Sequence, residues 1–145
     1  MDQSAVERVV AEHLAQLSAK CGLHQWDIAV SYESRSPDGD GGWTRGECTR
    51  LVDYHSAHIS LNPAAFADDA GVLLTLRHEL FHIVLAPFDL YVSAVEGIEL
   101  PEVAADLLER IADHATERTV AGLERLWAGL QCPHSAEPAG HPVVE

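Results

Sequence analysis

A segment of almost continuous apolar residues, from Asp68 to Pro87, carries the pattern HELFH at its centre and constrains the fold more than any other part of the chain. It begins with an acidic pair that can cap a helix, and the proline can end one. Between these limits apolar side chains recur on nearly every face at helical spacing. A helix of this kind must be covered on several sides, so we expect it at the centre of a domain.

The residues around this segment predict a small α+β domain. Its other predicted elements are a helix from Gln3 to Cys21, a strand from Trp26 to Tyr32, two strands at Cys48–Tyr54 and Ala57–Leu61 close enough for a hairpin, a short helix within Phe88–Gly97, and a long helix from Pro101 to about Leu130. The expected fold is an N-terminal helix, a small and mostly antiparallel sheet, the buried helix and a long C-terminal helix. A single domain over residues 1–130 accounts for these elements.

Two stretches lack the periodicity of a core element. Ser34 to Gly46 is rich in glycine and other turn-forming residues, which predicts a long, mobile loop. Gln131 to Glu145 contains several prolines and few apolar groups, which predicts a disordered tail. The histidines of that tail, His134 and His141, are accordingly expected to have no part in a site.

The charge of the chain limits its partners. Nine Lys and Arg residues stand against 23 Asp and Glu residues, a net charge of −14, which repels nucleic-acid phosphates and anionic lipid headgroups. No apolar run approaches the roughly 20 residues that cross a bilayer. The cysteines Cys21, Cys48 and Cys132 form no CxxC pair, which suits a reducing compartment. We expect a cytoplasmic protein that binds neither nucleic acid nor membranes.

The pattern HExxH predicts a metal site in the buried helix. His78 and His82 are one helical turn apart, so both imidazoles can reach one zinc ion at about 2.0–2.1 Å. Glu79 is then placed to act on a water molecule activated by zinc, first as general base and afterwards as general acid. Two histidines and a glutamate are costly to bury without a strong partner, which a metal ion supplies. A hydrolytic zinc site needs a third ligand from the protein.

The HELFH pattern, the strand-like AHISLNP before it and the lead-in TLRHE resemble the zincin metallopeptidases, in particular small gluzincin-type and phage-encoded enzymes. The resemblance covers about Cys48 to Leu130. It implies a zincin-like fold and a Zn²⁺-dependent metallopeptidase that hydrolyses peptide bonds of a peptide or protein substrate. Metzincins carry a third histidine six residues after the second, where this chain has Phe88, so that family is disfavoured.

In gluzincins the third ligand is a glutamate on a following helix, which directs attention to Glu109, Asp113, His114 and Glu117. Extending the apolar stripe of the last helix backward reaches Thr116, Glu117 and Asp113. Glu117 lies three residues before Val120, and its segment ATERTV resembles the glutamate-bearing helix of the phage-type enzymes. Glu117 is therefore favoured. His114 would give a three-histidine site like that of SprT-like proteases, which act at DNA, and the acidic charge stands against it. With Glu117 as ligand, Asp113 or His114 is expected to hydrogen-bond a zinc-bound histidine.

Further site features follow from the same resemblance. Zincins hold the substrate against an edge strand, for which Ala57–Leu61 is the candidate. The alternative is that this segment is a strand of the sheet with no role in substrate binding. The residues available to stabilise an oxyanion are Tyr54, His55, His58 and Tyr91. The acidic surface favours basic substrates.

Two alternatives remain at this point. One is a catalytically silent zinc-binding domain that acts as a regulatory or protein-interaction module. The other is a metal-free helical interaction protein in which the HExxH pattern is accidental.

Overall fold

The structure is a computed structural model that describes residues 1–36, 42–88 and 102–131. The elements in chain order are helix α1 (Gln3–Lys20), strand β1 (Asp27–Tyr32), strand β2 (Gly46–Leu51), a 3₁₀ turn (Val52–Tyr54), strand β3 (Ser56–Leu61), a second 3₁₀ turn (Pro63–Ala65), helix α2 (Asp69–Leu85) and helix α3 (Glu102–Gln131). The α+β class is confirmed, and each predicted helix and strand in the described residues is present within a few residues of its expected ends.

The three strands form a mixed sheet with the order β1-β3-β2. β2 and β3 make the predicted antiparallel hairpin, in which Cys48 lies opposite Ile59. β1 pairs with the other side of β3 in parallel, with Val30 opposite Ile59. The small sheet is therefore mixed, with one antiparallel and one parallel pair, where a mostly antiparallel sheet was expected. After the long connection that follows β1, the next strand, β2, lies at the far edge of the sheet, and the hairpin then places β3 in the middle.

Asn62 holds the two ends of this long connection together. Its side-chain oxygen accepts a hydrogen bond from the Arg35 N–H at 3.2 Å, and its amide group donates to the carbonyl oxygens of Arg35 at 3.4 Å and Thr44 at 3.1 Å. The side chain is buried, so these bonds satisfy polar groups that water does not reach. Asn62 thus determines where β2 begins relative to the end of β3.

The core lies on one face of the sheet, where α1 and α2 pack. Alternation along β3 turns Ala57, Ile59 and Leu61 inward and leaves His58 exposed on the opposite face. Further core residues are Val6, Val9 and Val10 of α1 and Val72, Leu76, Leu80 and Ile83 of α2. α2 contacts α1, β2 and α3, so the prediction of a central helix is confirmed. Asp68 caps it by accepting a hydrogen bond from the Gly71 N–H at 2.8 Å.

Helix α3 packs on α2 through its C-terminal half. Val120 is fully buried against Phe81 and Leu85, and the rings of Phe81 and Trp127 meet edge to face at 6.0 Å. In the N-terminal half of α3, Leu107 and Ile111 are 55% and 57% exposed. α2 has 17 residues and α3 has 30, so the two helices measure about 26 and 45 Å and cannot pack along their full lengths.

Several expectations concern parts of the chain outside the described residues. These are the centre of the predicted mobile loop (residues 37–41), most of the helix expected within Phe88–Gly97, and almost all of the tail predicted to be disordered. No helix among the described residues is long and apolar enough to cross a membrane.

Candidate metal centre

His78 and His82 lie on the face of α2 that meets α3. They are four residues apart on one helix, and their Nε2 atoms are 3.1 Å from each other. His82 is the more enclosed of the two, because its side chain is 12% exposed and that of His78 is 31% exposed. The predicted pair of imidazoles therefore directs one nitrogen from each ring toward a shared point.

Helix α3 brings Glu117 to the same point. Its carboxylate oxygens lie 3.2 Å from His82 Nε2 and 3.7 Å from His78 Nε2. Val120, three residues later, is fully buried against α2 and anchors this part of the helix. The carboxylate itself is 59% exposed, so the group opens to solvent on the Glu117 side.

The spacing of these three donors fits a tetrahedral zinc site. Donor atoms bound at about 2.0–2.2 Å with tetrahedral angles are about 3.3–3.6 Å from each other. The three observed separations run from 3.1 to 3.7 Å and bracket that range. Two imidazoles and a carboxylate are also a donor set that catalytic zinc accepts, with one position left for water.

The other candidates for the third ligand lie elsewhere on α3. Glu109, Asp113 and His114 are exposed on the earlier turns of the helix. Within the described ranges, His78, His82 and Glu117 make up the group of histidine, cysteine and carboxylate side chains close enough to share a metal ion. Their role as ligands stays a prediction, and the structure supplies the geometry that it requires.

Glu79 is buried beside this group and does not belong to it. Its residue is 5% exposed, and its carboxylate lies against the start of β2, where a Cβ atom on Gly46 would be 2.7 Å from Glu79 Oε1. The pKa of Glu79 is raised to about 7, mainly by burial and also by the charge of the nearby Glu117, while His78 opposes the rise. A carboxyl group with this pKa exchanges a proton readily near neutral pH.

The pKa of His82 moves the opposite way. Burial lowers it, and the neighbouring His78 and Arg50 add to that effect, while Glu117 opposes it. The lowered pKa favours the neutral imidazole, which is the form that binds a metal ion.

Two further residues contact the histidines on their far side, and the sequence analysis missed both. Glu124 of α3 places Oε1 3.4 Å from His78 Nδ1. Arg50 of β2 places Nη1 3.4 Å from His82 Nδ1, and it donates to the His82 carbonyl oxygen at 3.3 Å. Asp113 or His114 was expected beside a histidine, and the structure gives that position to Glu124.

The residues considered for substrate binding are distributed differently from expectation. β3, expected as the edge strand, is the central strand and pairs on both sides, so it cannot accept another strand. β2 is the edge strand that packs against α2. Of the candidates for an oxyanion donor, Tyr54 is exposed, His55 packs edge to face on Trp26, His58 is on the opposite face of the sheet, and Tyr91 lies outside the described residues.

Comparison with known proteins adds no relative to this description. No protein-family model, curated protein or solved structure matches the chain. The candidate centre therefore consists of His78, His82 and Glu117, with Glu79 buried next to them.

Proposed function

We propose that this protein is a zinc-dependent metallopeptidase with a zincin-like fold. The observation that carries the proposal is the convergence of Glu117 from α3 on His78 and His82 from α2, with Glu79 buried beside them. The HExxH pattern supplies two ligands and does not identify the third. Glu117, which is far from the pattern in the chain, lies where a third ligand would be needed. Neither a purely structural helix contact nor an accidental HExxH pattern requires this convergence.

His78, His82 and Glu117 would hold the ion. A zinc ion at these ligands supplies a Lewis acid that polarises a peptide carbonyl and lowers the pKa of a water molecule. The net charge of two neutral imidazoles and one carboxylate leaves such an ion partly positive, which suits electrophilic chemistry. Glu117 is the most exposed of the three, so substrate would approach from its side of the group.

Glu79 would move the protons. Its carboxylate, buried beside the three proposed ligands, would accept a proton from the attacking water. The same carboxyl group can then give that proton to the nitrogen of the leaving amine, which returns Glu79 to its starting state. Its burial at the start of β2 holds it in one position through both transfers.

Surface charge bears on the substrate. The chain carries a net charge of −14, which accelerates encounter with basic peptides or proteins at low ionic strength. We propose basic protein segments as the substrate class on this ground.

The test combines metal content with hydrolysis. Elemental analysis of the purified protein is expected to give about one zinc per chain, lost in His78→Ala and Glu117→Ala and kept in His114→Ala, an exposed control on the same helix. Unfolded basic proteins and a quenched-fluorescence peptide library serve as substrates. Glu79→Gln is expected to keep zinc and lose at least about 100-fold in rate, the usual contribution of a general base.

The outcomes separate the alternatives. Zinc binding without hydrolysis by the wild type would favour the silent zinc-binding module. Failure of the wild type to bind zinc would overturn the proposal. Full hydrolysis by Glu79→Gln would be compatible with the proposed metal site but would contradict the proposed role of Glu79 in proton transfer.

A further inference from the structure

Glu124 stands on the far side of the His78 ring from the candidate centre. Its Oε1 atom is 3.4 Å from His78 Nδ1, while His78 Nε2 faces His82 and Glu117. We infer that Glu124 is a positioning residue for His78: its carboxylate orients the ring so that Nε2 presents a lone pair to the metal ion. This inference rests on the proposed function and deepens it.

The position of Glu124 follows from the way α3 packs. Glu117 and Glu124 are seven residues apart, which is two helical turns, so both side chains leave the same side of the helix. Between and beyond them, Leu123 and Trp127 pack against α2. The side chain of Glu124 is 23% exposed and that of Glu117 is 59% exposed. A partly buried carboxylate interacts more strongly with its neighbour than an exposed one.

The chemistry of the two groups sets which of them would donate a hydrogen bond across the 3.4 Å between His78 Nδ1 and Glu124 Oε1. An ionised carboxylate only accepts, and a neutral imidazole carries one proton on one of its two nitrogens. A carboxylate next to Nδ1 therefore favours the tautomer with the proton on Nδ1 and leaves the lone pair on Nε2. His78 would then need no change of tautomer or rotamer to bind a metal ion.

The second histidine has a different neighbour. His82 Nδ1 faces the guanidinium of Arg50, which donates and does not accept. Among the described residues, a carboxylate therefore lies next to Nδ1 of His78, whereas Nδ1 of His82 has a guanidinium as its neighbour. We therefore expect the loss of Glu124 to weaken metal binding through His78 specifically.

The experiment measures zinc affinity by chelator competition at constant pH and ionic strength. Glu124→Ala is expected to weaken binding about 10- to 100-fold, the usual effect of removing such a partner. Glu124→Gln retains an oxygen that can accept the bond and is expected to stay within a few-fold of the wild type. Glu109→Ala removes the same charge from an exposed site on the same helix and is expected to leave affinity unchanged.

Two results would overturn the inference while the wild type still binds zinc. Unchanged affinity in Glu124→Ala would remove any role, and equal losses in the Ala and Gln variants would indicate a general charge effect. A wild type that binds no zinc would overturn both this inference and the proposed function.

A second measurement does not depend on the metal. Nitrogen-15 NMR of the metal-free wild type at a pH where His78 is neutral is expected to find its proton on Nδ1, and a proton on Nε2 would contradict the inference. Far-UV circular dichroism of the two variants checks that both are folded.

Discussion

The Glu79 carboxylate occupies the space that a side chain on Gly46 would need. A Cβ atom at position 46 would lie 2.7 Å from Glu79 Oε1 and 2.9 Å from Thr75 Cγ2. Strand β2 approaches α2 this closely because residue 46 is glycine. The proposed proton carrier is thereby held between a strand and the helix that bears both histidines.

The first prediction concerns Gly46→Ala. We expect the new methyl group to displace the Glu79 carboxylate, because the end of a long side chain moves more easily than a strand paired in a sheet. Hydrolysis should fall at least 10-fold, zinc content should not change, and overpacking should reduce the free energy of unfolding by about 1–3 kcal/mol. Elemental analysis, peptide hydrolysis and denaturant unfolding measure the three effects.

Gly122→Ala is the matched control for this substitution. A Cβ atom there would meet only the end of the Arg125 side chain at 3.9 Å, and the residue lies within α3. Replacing glycine by alanine inside a helix stabilises by about 0.5–1 kcal/mol. A Gly46→Ala protein with full activity would show that Glu79 does not need its observed position.

The second prediction is a pH dependence of stability in the metal-free protein. The pKa of Glu79 is about 7 in the folded state and about 4.5 when unperturbed, so folding favours the protonated form. Its contribution is fully present below pH 4.5 and is lost as pH rises through 7. As pH rises across this window, the free energy of unfolding of the wild type should therefore fall by on the order of 2–3 kcal/mol relative to that of Glu79→Gln.

Denaturant unfolding of both proteins from pH 4.5 to pH 8, with a chelator present, measures the difference. The lowered pKa of His82 acts in the opposite direction, since its contribution is lost as pH falls, and it is common to both proteins. A difference that does not vary with pH would mean that Glu79 ionises in the fold as it does in water.

The third prediction concerns metal removal. A ligand that binds only the folded state stabilises it by RT ln(1 + [L]/Kd), about 2.7 kcal/mol at 100 times Kd. Chelation should lower the melting temperature of the wild type by several degrees, and zinc should restore it. Glu117→Ala should show a much smaller response, while Asp113→Ala should respond as the wild type does. Differential scanning fluorimetry is sufficient for the comparison, and equal responses in all three proteins would exclude Glu117 as a ligand.

The fourth prediction concerns Arg50→Met. The guanidinium is 3.4 Å from His82 Nδ1, and a positive charge there opposes the binding of a divalent cation. Methionine keeps part of the apolar stem and removes the charge, so zinc affinity should rise about 3- to 10-fold, a free-energy change of about 1 kcal/mol. Arg8→Met, on α1 and paired with Glu12 and Asp69, is the control and should leave affinity unchanged. A fall in affinity in Arg50→Met would show that Arg50 holds His82 in place rather than repelling the ion.

Local spacing was sufficient for several features of this protein. The apolar period of residues 69–85 predicted α2, and the four-residue step between His78 and His82 placed two imidazoles on one face, because both depend only on helix geometry. The strand predicted at Trp26–Tyr32 is β1, and its alternate residues Ile28, Val30 and Tyr32 pack against the core. The apolar stripe of α3 reached Glu117 together with Thr116 and Asp113, and the resemblance of ATERTV to the phage-type enzymes favoured Glu117 among them.

The tertiary structure decided the relationships between elements. β3 is the central strand and β2 an edge strand because β1 pairs in parallel with β3, and no local pattern records that pairing. The meeting of Glu124 with His78, of Arg50 with His82 and of Gly46 with Glu79 depends on the angle and depth at which α3 and β2 pack on α2. The spacing of apolar residues along the sequence predicts which face of a helix or strand points inward. Which residues of two different elements meet there is determined by packing, because it follows from the volumes of all the side chains between them.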